Sequence, residues 1–482
     1  MRILLVSTYE MGHQPLGLAA PAAALRGRGH DVDCLDLAAE GPSPQRFRAA
    51  DLVAISVPMH TAARLGIALA PRVRALNPRV HLAFYGLYAT PLYDRLVGSG
   101  LADSVIGGEY EVGLVALAER LADRASGEMP GVGRLPLFER QTYAVPDRSG
   151  LPPLDEYARL SVDGELRLAG YVEASRGCAH SCTHCPLTPV YGGRLRLVQP
   201  ETVLADIDQL VDLGARHITF GDPDFFNAVP HSLAIVEEMR RRHPDLTFDA
   251  TIKVEHLIEH EPLLSRLVDN GCLFVTSAFE ATNDDILRRL EKGHTRADME
   301  RVVRSLARQG LAIRPTWVAF TPWTEAGDFL DLLAFVEDHG LIENVQPVQY
   351  ALRLLLPPGS PLVEVLRAEG RLGPFDGERL TYAWSSPDPR LDQLQTGLAA
   401  LVEASVAGEE HVCGPSTLRQ GQGGPGPSAG SGGTSGHSEE SYAGAFAQVK
   451  RAAHQALVGN AGPPVAAQPR KAVPRLTEPW FC

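Results

Sequence analysis

Three of the seven cysteines in this 482-residue chain lie within one short stretch, RGCAHSCTHCPLTPVYGGRLR, residues 176–196. Cys178, Cys182 and Cys185 form a C-x3-C-x2-C pattern, which random placement of seven cysteines would give only about 0.0015 times per chain. Thiolates at this spacing within one loop bind a soft metal ion or an iron-sulfur cluster. Three thiolates on a four-iron cluster leave one iron without a protein ligand, and chemistry can take place at that open position.

A structural zinc ion completed by His180 or His184 is the alternative for the same loop. Structural zinc typically holds together a small domain that lacks a core, whereas the sequence around this loop predicts a large α/β core. The iron-sulfur interpretation is therefore favoured. The other four cysteines are scattered, which suits a reducing compartment better than a disulfide framework; they are Cys34, Cys272, Cys413 and Cys482.

The elements that position the loop alternate between strand and helix from about residue 168 onward. Helical runs such as ETVLADIDQLVDLG separate six strand candidates, which are AGYVEAS, RHITFGD, LTFDATIK, CLFVTSAFE, AIRPTWVAF and ENVQPVQYALRLL. Six strand-helix units with right-handed crossovers predict a (β/α)6 partial TIM barrel over residues 168–360. Ligands bind at the carboxyl ends of strands in such folds, and the three cysteines directly follow the first strand.

An α/β pattern of a second kind occupies residues 1–126. Five short strand candidates, beginning with RILLVS, alternate with helical runs and predict a doubly wound, Rossmann-like parallel sheet. The predicted boundaries of the remaining parts are a connecting segment over 127–167, a helical extension over 361–413, a disordered Gly/Ser/Pro linker over 414–440, and a helix plus flexible extended tail over 441–482. The linker has eight glycines in the sixteen positions 421–436, too little apolar surface to offset the entropy of ordering.

Composition and charge exclude several classes of partner. The net charge is −13, from 45 Lys and Arg against 58 Asp and Glu, so the overall field repels nucleic-acid backbones and anionic membranes. The amino terminus has an apolar run too short for a signal peptide, and no apolar stretch is long enough for a membrane helix. We therefore expect a cytoplasmic protein that binds neither nucleic acid nor membrane.

The cysteine triad, placed after the first strand of a six-unit β/α array, resembles the signature of the radical S-adenosylmethionine (SAM) superfamily. The resemblance implies that the three thiolates hold a [4Fe-4S] cluster, and that the amino and carboxylate groups of SAM chelate the fourth iron. It also implies that the reduced cluster passes an electron to the sulfonium, which yields a 5′-deoxyadenosyl radical able to take a hydrogen atom. The missing fourth protein ligand is then explained by the cofactor.

The same resemblance extends to a turn at the end of the second barrel strand, in FGDPDFFN. The family binds the amino group of SAM at this turn, so Gly221, Asp222 and Asp224 are the candidates, although an ordinary strand-to-helix turn is the alternative. Lys253 ends the third strand and is a candidate contact for a carboxylate, but lysines at strand ends are more often solvated.

The fourth strand, VTSAFEATNDDILRRLEKGHT, resembles that of cobalamin-linked members of the superfamily. The resemblance implies that Ser277 and Glu280 face the ribose of SAM and that Lys292–Thr295 follow the next helix. One position departs from the family, which favours an aromatic residue against adenine immediately before the third cysteine. His184 stands there, and its imidazole is able to stack in the same way.

The first domain resembles a cobalamin-binding module. Its loops after the first, third and fifth strands fall where such modules approach the corrin ring and the nucleotide tail, and they supply the candidate contacts Gly12, His13, Gln14, Gly17, Ser56, Met59, Thr61, Gly107, Gly108 and Glu109. The cobalt-binding D-x-H-x-x-G motif is absent, so neither His13 nor His60 is assigned as a cobalt ligand. A Rossmann-like lid that binds no cobalamin is the alternative.

The carboxyl-terminal LTEPWFC resembles the tail of bacterial radical SAM proteins that end in Cys-Sec-Ala-Glu-Pro or Cys-Cys-Ala-Glu-Pro. This resemblance suggests a redox role for Cys482, followed in the gene by a selenocysteine codon read as a stop. An incidental thiol at a frayed terminus is the alternative.

These resemblances together imply a cobalamin-dependent radical SAM enzyme that methylates an unactivated carbon of a small-molecule or peptide substrate. They also imply an electron donor such as flavodoxin or ferredoxin. A radical rearrangement, cyclisation or oxidation without methyl transfer is the second enzymatic interpretation, and a non-catalytic cobalamin or redox sensor is a third. No motif identifies the substrate or a catalytic acid or base.

Overall fold

The fold is taken from a computed structural model of the chain. The structure describes residues 1–123, 133, 134, 136, 138, 141–407, 442–465 and 473–477. Cys413, the predicted linker 414–440 and Cys482 lie outside these residues. Among the described residues, no helix is both long enough and apolar enough to cross a membrane.

The first domain is a five-stranded parallel sheet in the order β2-β1-β3-β4-β5 with helices on both faces. Its elements are β1 (Arg2–Ser7), α1 (Leu16–Arg26), β2 (Asp31–Asp36), α2 (Pro44–Ala49), β3 (Leu52–Ser56), α3 (His60–Leu76), β4 (His81–Tyr85), α4 (Tyr93–Val97), β5 (Ser104–Ile106) and α5 (Tyr110–Asp123). Strands buried on both faces read as continuous apolar runs, and LVAIS in β3 is one of them. The two faces of the sheet pack into two separate cores.

The second domain is a curled sheet whose helices lie on its outer face. Its strands are β6 (Arg159–Val162), β7 (Glu165–Val172), β8 (Ser175–Gly177), β9 (Leu195–Leu197), β10 (His217–Phe220), β11 (Thr247–Thr251), β12 (Cys272–Glu280) and β13 (Ala312–Trp317). Its helices are α6 (Thr188–Tyr191), α7 (Pro200–Asp212), α8 (Val229–Arg242), α9 (Val254–Glu259), α10 (Leu264–Asp269), α11 (Asp284–Arg289), α12 (Arg296–Arg308) and α13 (Ala326–Asp338). The strands β7, β10, β11, β12 and β13 are parallel neighbours, so they form a partial barrel.

The sixth barrel strand predicted from ENVQPVQYALRLL is wrong. Residues Pro347–Ala351 form a 3-10 helix instead, and a single parallel bridge between Phe320 and Arg353 is what remains of strand pairing there. Tyr350 is buried and its ring lies 5.6 Å from that of Phe446. The residues of this stretch are therefore apolar because they are buried in the core, and not because the backbone is extended.

The chain after the barrel packs against both domains, with Leu380 in a core of the first domain and Leu391 in that of the second. It comprises α14 (Leu362–Ala368), β14 (Leu372–Asp376), β15 (Thr381–Trp384), α15 (Pro389–Ala407), α16 (Tyr442–Leu457) and β16 (Arg475–Leu476). The predicted helical extension thus also contains a β-hairpin, β14-β15. The tail contributes β16, which pairs with β6, and β6 pairs with β7. The α/β fold class, a Rossmann-like domain followed by a partial barrel, is confirmed.

Candidate cofactor site

The cysteine loop leaves the carboxyl end of the first barrel strand, as predicted. After β7 the chain forms the short strand β8, which pairs with β9, and Cys178 follows directly. Gly177 has φ +73, and a Cβ atom there would collide with the carbonyl oxygen of Arg194 and the ring of Tyr191. The backbone N–H of Cys185 donates to the carbonyl of Cys182 at 3.1 Å, which holds the loop in a tight turn.

The thiols of this loop fit a metal cluster. Burial raises the pKa of Cys182 and raises that of Cys185 to about 11. Thiolates are the form that binds iron, so a bound cation must offset the cost of ionising these buried thiols. Asn227 Nδ2 lies 3.5 Å from the sulfur of Cys178, close enough for a weak hydrogen bond to a thiolate. This donor set suits a [4Fe-4S] cluster held by three cysteines.

A buried charge cluster of Glu280, Lys292 and His184 lies beside the cysteines. Lys292 Nζ and His184 Nε2 both lie 3.1 Å from Glu280 Oε1. Burial opposes ionisation of Glu280, but Lys292 and His184 outweigh it and hold the pKa of the carboxyl well below its usual range. Glu280 also has φ +65, next to a register shift in β12. Strain of this kind persists where surrounding contacts hold the residue in place, often at functional sites.

The turn after β10 uses its two aspartates differently. Asp222 accepts hydrogen bonds from Ala174 N at 2.9 Å and from Ser175 Oγ at 2.5 Å, so both of its oxygens hold the start of β8. Asp224 Oδ1 lies 3.3 Å from Phe226 N, and its Oδ2 lies 2.7 Å from His256 Nδ1 and 3.6 Å from His180 Nε2. Asp222 is thus held by the backbone and hydroxyl of the cysteine-loop strand, whereas one oxygen of Asp224 faces two histidines.

The other predicted SAM contacts are Gly221, Lys253 and Ser277. Gly221 packs under the Tyr171 hydroxyl so closely that a Cβ atom would collide with it. Lys253 is buried, not solvated, and its Nζ lies 3.1 Å from Glu255 Oε2. Ser277 is fully buried on the same strand face as Val275, which packs in the core between sheet and helices. The structure thus brings Lys253 to the site and places Ser277 on the other face of its strand.

The predicted cobalamin loops meet at the carboxyl edge of the first sheet. A Cβ atom on Gly17 would lie 2.7 Å from Glu10 Oε1 and 2.8 Å from Ser56 Oγ, so glycine allows these groups to approach. Three buried polar atoms here have no hydrogen-bond partner among the described residues: Ser7 Oγ, Glu10 Oε1 and His13 Nδ1. Unsatisfied buried atoms at this edge of an α/β sheet fit a polar ligand that binds there.

The other predicted cobalamin contacts divide into two groups. Those that follow the carboxyl ends of the strands without a contact of this kind are Met59, Thr61, Gly107 and Gly108. Those that contact the rest of the chain are Gly12, His13, Gln14 and Glu109. The His13 ring lies 4.8 Å from the Tyr171 ring of the barrel, and Glu109 accepts a hydrogen bond from the Tyr143 hydroxyl at 2.6 Å.

Two arginines join the first domain to the barrel, and the sequence did not reveal either. Arg176 Nη1 donates to Glu111 Oε2 at 2.9 Å, and its Nε donates to Glu173 at 2.9 Å. Arg148, in the connecting segment, forms a buried ion pair with Asp206 of the barrel at 2.7 Å and donates to Gln14 Oε1 of the first domain at 2.9 Å. The only sequence signal for Arg176 is its position two residues before the first cysteine of the loop.

A cavity of about 410 Å³ lies between the two domains, bounded by α1, α5 and the start of α7. Its charged lining includes Glu111, Glu173, Arg176 and Asp206. The cavity is therefore bordered by the same ion pairs that join the domains. The volume lies in the range of small-molecule binding cavities.

Family models match both domains. Residues 172–333 match the Radical SAM superfamily, and residues 2–118 match the B12 binding domain. The chain is therefore a radical SAM protein with an amino-terminal B12-binding domain. The cofactors that these two domains define are the [4Fe-4S] cluster, SAM and cobalamin.

Similar curated proteins include two methylating enzymes. The hopanoid C-3 methylase of Methylococcus capsulatus is 27% identical over 291 residues, which are 58% of this chain and 56% of the relative. The bacteriochlorophyllide d C-12(1)-methyltransferase of Chlorobaculum tepidum is 28% identical over 313 residues, 62% of this chain and 63% of the relative. The chain thus spans less than two thirds of the length of these relatives.

Solved structures with the same fold include OxsB, a cobalamin-dependent SAM radical enzyme, and TsrM, a radical SAM methyltransferase. OxsB with bound aqua-cobalamin superposes with a TM-score of 0.68 at 15% identity, covering 84% of this chain and 67% of OxsB. TsrM from Kitasatospora setae superposes with a TM-score of 0.66 at 18% identity, covering 84% of this chain and 88% of TsrM. The predicted arrangement of a B12-type domain before a radical SAM barrel is confirmed.

Proposed function

We propose that this chain is a cobalamin-dependent radical SAM methyltransferase that acts on an unactivated carbon of a small-molecule or peptide substrate. One observation carries the proposal. The cysteine loop leaves the barrel next to Arg176, and Arg176 is paired with Glu111 of the B12-type domain, so the two cofactor regions are adjacent. The names of the two curated relatives, both methylating enzymes, support the same reaction class.

The barrel residues have separate roles in this proposal. Cys178, Cys182 and Cys185 hold the cluster. When bound, the cluster supplies an electron that cleaves SAM, and cobalamin supplies the methyl group. The ammonium groups of Lys253 and Lys292 both lower the pKa of Cys182, which places positive charge where the carboxylate of SAM would bind.

The remaining SAM contacts are assigned by their position. Asp224 Oδ2 is assigned to the amino group, which would replace or join its present partner His256, and Gly221 keeps the turn open beside it. Glu280 faces the ribose and His184 packs against adenine. Asp222 positions the loop through β8, and the contact assigned to Ser277 stays a prediction.

The first domain binds the corrin in this proposal through the loops that carry Gly12, Gly17, Ser56, Met59, Thr61, Gly107 and Gly108. Glu10 and Ser56 lie closest to Gly17 and exclude water from beneath the ligand. His13, Gln14 and Glu109 hold the loops against the barrel, so they fix the distance between the two cofactors. No histidine of this domain is assigned to cobalt.

The test is anaerobic reconstitution with iron, sulfide and hydroxocobalamin, followed by SAM and a strong reductant. We expect about four irons per chain, a corrin absorbance that stays with the protein, and formation of 5′-deoxyadenosine. The Cys178→Ala, Cys182→Ala and Cys185→Ala variants should lose the cluster but keep the corrin. A single zinc ion in the loop, or a cluster that survives the triple substitution, contradicts the proposal.

The same preparation separates the other interpretations. Protein that holds both cofactors but never cleaves SAM is a sensor. Cleavage that yields 5′-deoxyadenosine and a modified but unmethylated product indicates a rearrangement or oxidation. Either result replaces methyl transfer as the reaction. The physiological electron donor is proposed to be a flavodoxin or ferredoxin, and each is tested in place of the chemical reductant.

The redox role of Cys482 is a separate proposal. The gene decides it, because any codon other than UGA or a cysteine codon directly after Cys482 would end the idea of a Cys-Sec or Cys-Cys pair.

A further inference from the structure

Arg314 projects into the interior of the barrel. It lies in β13, opposite Thr276 of β12. Its neighbours Ile313 and Trp317 pack in the core between the sheet and the outer helices. Side chains alternate along a strand, so Arg314 lies on the inner face, where its guanidinium carbon is 5.0 Å from the centre of the Phe274 ring.

Two nitrogens of Arg314 lack a hydrogen-bond partner within the part of the chain that the structure describes. Nε and Nη2 are both buried, and neither makes a hydrogen bond within the described residues. No carboxylate oxygen of the described residues lies within 4.0 Å of this guanidinium. Nε and Nη2 are on the same edge of the guanidinium, the edge that binds a carboxylate through two parallel hydrogen bonds.

Asp249 is the carboxylate whose charge acts on Arg314, and it already has two other hydrogen-bond partners. Asp249 Oδ1 accepts a hydrogen bond from Thr219 Oγ1 at 2.7 Å and lies 2.8 Å from His217 Nε2. Burial is the main influence that lowers the pKa of Arg314, and Arg475 adds to it. A buried guanidinium without a counter-ion is unfavourable, so its retention needs a reason outside the stability of the ligand-free protein.

We propose that the Nε and Nη2 edge of Arg314 binds a carboxylate group of the substrate within the barrel, an assignment that rests on the proposed function. The carboxylate of SAM has its own candidate partner in the proposed function, Lys292, whose Nζ lies 3.1 Å from the same Glu280 oxygen that His184 of the cysteine loop contacts. Polar side chains that alternate with the outer core residues of these strands also face this interior and include Tyr171, His217, Thr219 and Asp249, so the substrate class is a carboxylic acid with further polar groups.

The test compares Arg314→Met with wild type, using the cluster-loaded and corrin-loaded protein. Arg167→Met is the matched control, because Arg167 pairs with Glu165 at the surface of the preceding part of the barrel. The probes are acetate, acetamide and inorganic phosphate at equal ionic strength, and the readouts are the melting temperature and the affinity for SAM.

We expect acetate, and not acetamide, to raise the melting temperature of wild type and of Arg167→Met. Arg314→Met should lose this acetate shift, melt above ligand-free wild type, and bind SAM with unchanged affinity. These readouts do not depend on turnover, so they judge Arg314 even if the protein fails to cleave SAM and the proposed function falls.

Four outcomes overturn the assignment. A lower melting temperature of Arg314→Met gives the residue a structural role, and weaker SAM binding by this variant assigns it to the carboxylate of the cofactor. A shift with phosphate but not acetate changes the ligand to a phosphate ester. If acetate and acetamide shift the melting temperature equally, or if neither shifts it, Arg314 does not form an anion-binding site.

Discussion

Arg176 and Glu111 are bound to each other across the boundary between the two domains, with 2.9 Å between Nη1 and Oε2. Both side chains are only 8% exposed. Arg176 also lies over the rings of Tyr110 and Tyr143, about equally distant from each at 5.0 Å and 5.1 Å. The residue that begins the cysteine loop is therefore the same residue that fixes the B12-type domain, so the position of the cluster and the position of the corrin loops are mechanically linked.

Removing one member of this ion pair should loosen the domains. We expect Arg176→Met to lower the free energy of unfolding by about 3 to 5 kcal/mol, because the buried carboxylates Glu111 and Glu109 lose their cationic partner. Calorimetry of the reconstituted protein measures the change. Arg241→Met is the control, since its pair with Glu238 is exposed, and an equal loss in both variants would contradict the role of burial.

A second prediction concerns Lys292 and the charge that it balances. In Lys292→Met, Glu280 loses its ammonium partner and keeps only the hydrogen bond to the His184 imidazole, so we expect a loss of about 3 kcal/mol of stability and weaker SAM binding. Because Lys292 and His184 lower the pKa of Glu280, the stability from this carboxylate is present above pH 4.5 and lost as the pH falls. Unfolding of wild type and variant at a series of pH values below 4.5 measures the loss of stability and its pH dependence. Stability curves of the two proteins that stay parallel as the pH falls would argue against this role of Lys292.

Much of the fold could be predicted because short segments of the sequence have characteristic patterns of apolar and polar residues. Runs such as LVAIS are apolar throughout, a composition typical of strands covered on both faces. The sixth barrel strand failed for a physical reason, since the apolar residues of that stretch are buried in a 3-10 helix that begins at Pro347. Burial decides which residues are apolar, but it does not fix whether the backbone is extended.

The site was predictable where chemistry depends on spacing and not where it depends on contacts between distant parts of the chain. The cysteine spacing located the cluster loop. Asp222 could not be told from Asp224, because the hydrogen bonds that occupy Asp222 come from Ala174 and Ser175, 48 and 47 residues away. Likewise, nothing local in the sequence shows that Glu109 faces Tyr143 rather than a ligand.

The third prediction is the pH dependence caused by Glu10. Burial, reinforced by Asp36, raises the pKa of Glu10 to about 8 from 4.5. The folded protein then holds a proton that the unfolded chain releases, so the stability due to this group is full below pH 4.5 and falls as the pH rises to 8, by at most about 5 kcal/mol. We expect Glu10→Gln to flatten the stability profile between pH 5 and 8 and to raise stability at pH 8. Melting curves of the corrin-free protein across this range test it, and a variant with the same slope as wild type would refute it.

The fourth prediction concerns the close approach at Gly17. The Cβ atom of Gly17→Ala would lie 2.7 Å from Glu10 Oε1, with Ser56 Oγ as the next contact, so at least one of these groups must move. We expect a loss of about 1 to 3 kcal/mol of stability and a larger loss of hydroxocobalamin binding, measured by the corrin absorbance retained after desalting.

Gly397→Ala is the matched control, because this glycine lies in α15 with no atom within 4 Å of the added carbon. Alanine should stabilise that helix by about 0.5 to 1 kcal/mol and leave corrin binding unchanged. If Gly17→Ala retained the corrin as well as the control does, the loop after β1 would not be part of the cobalamin site.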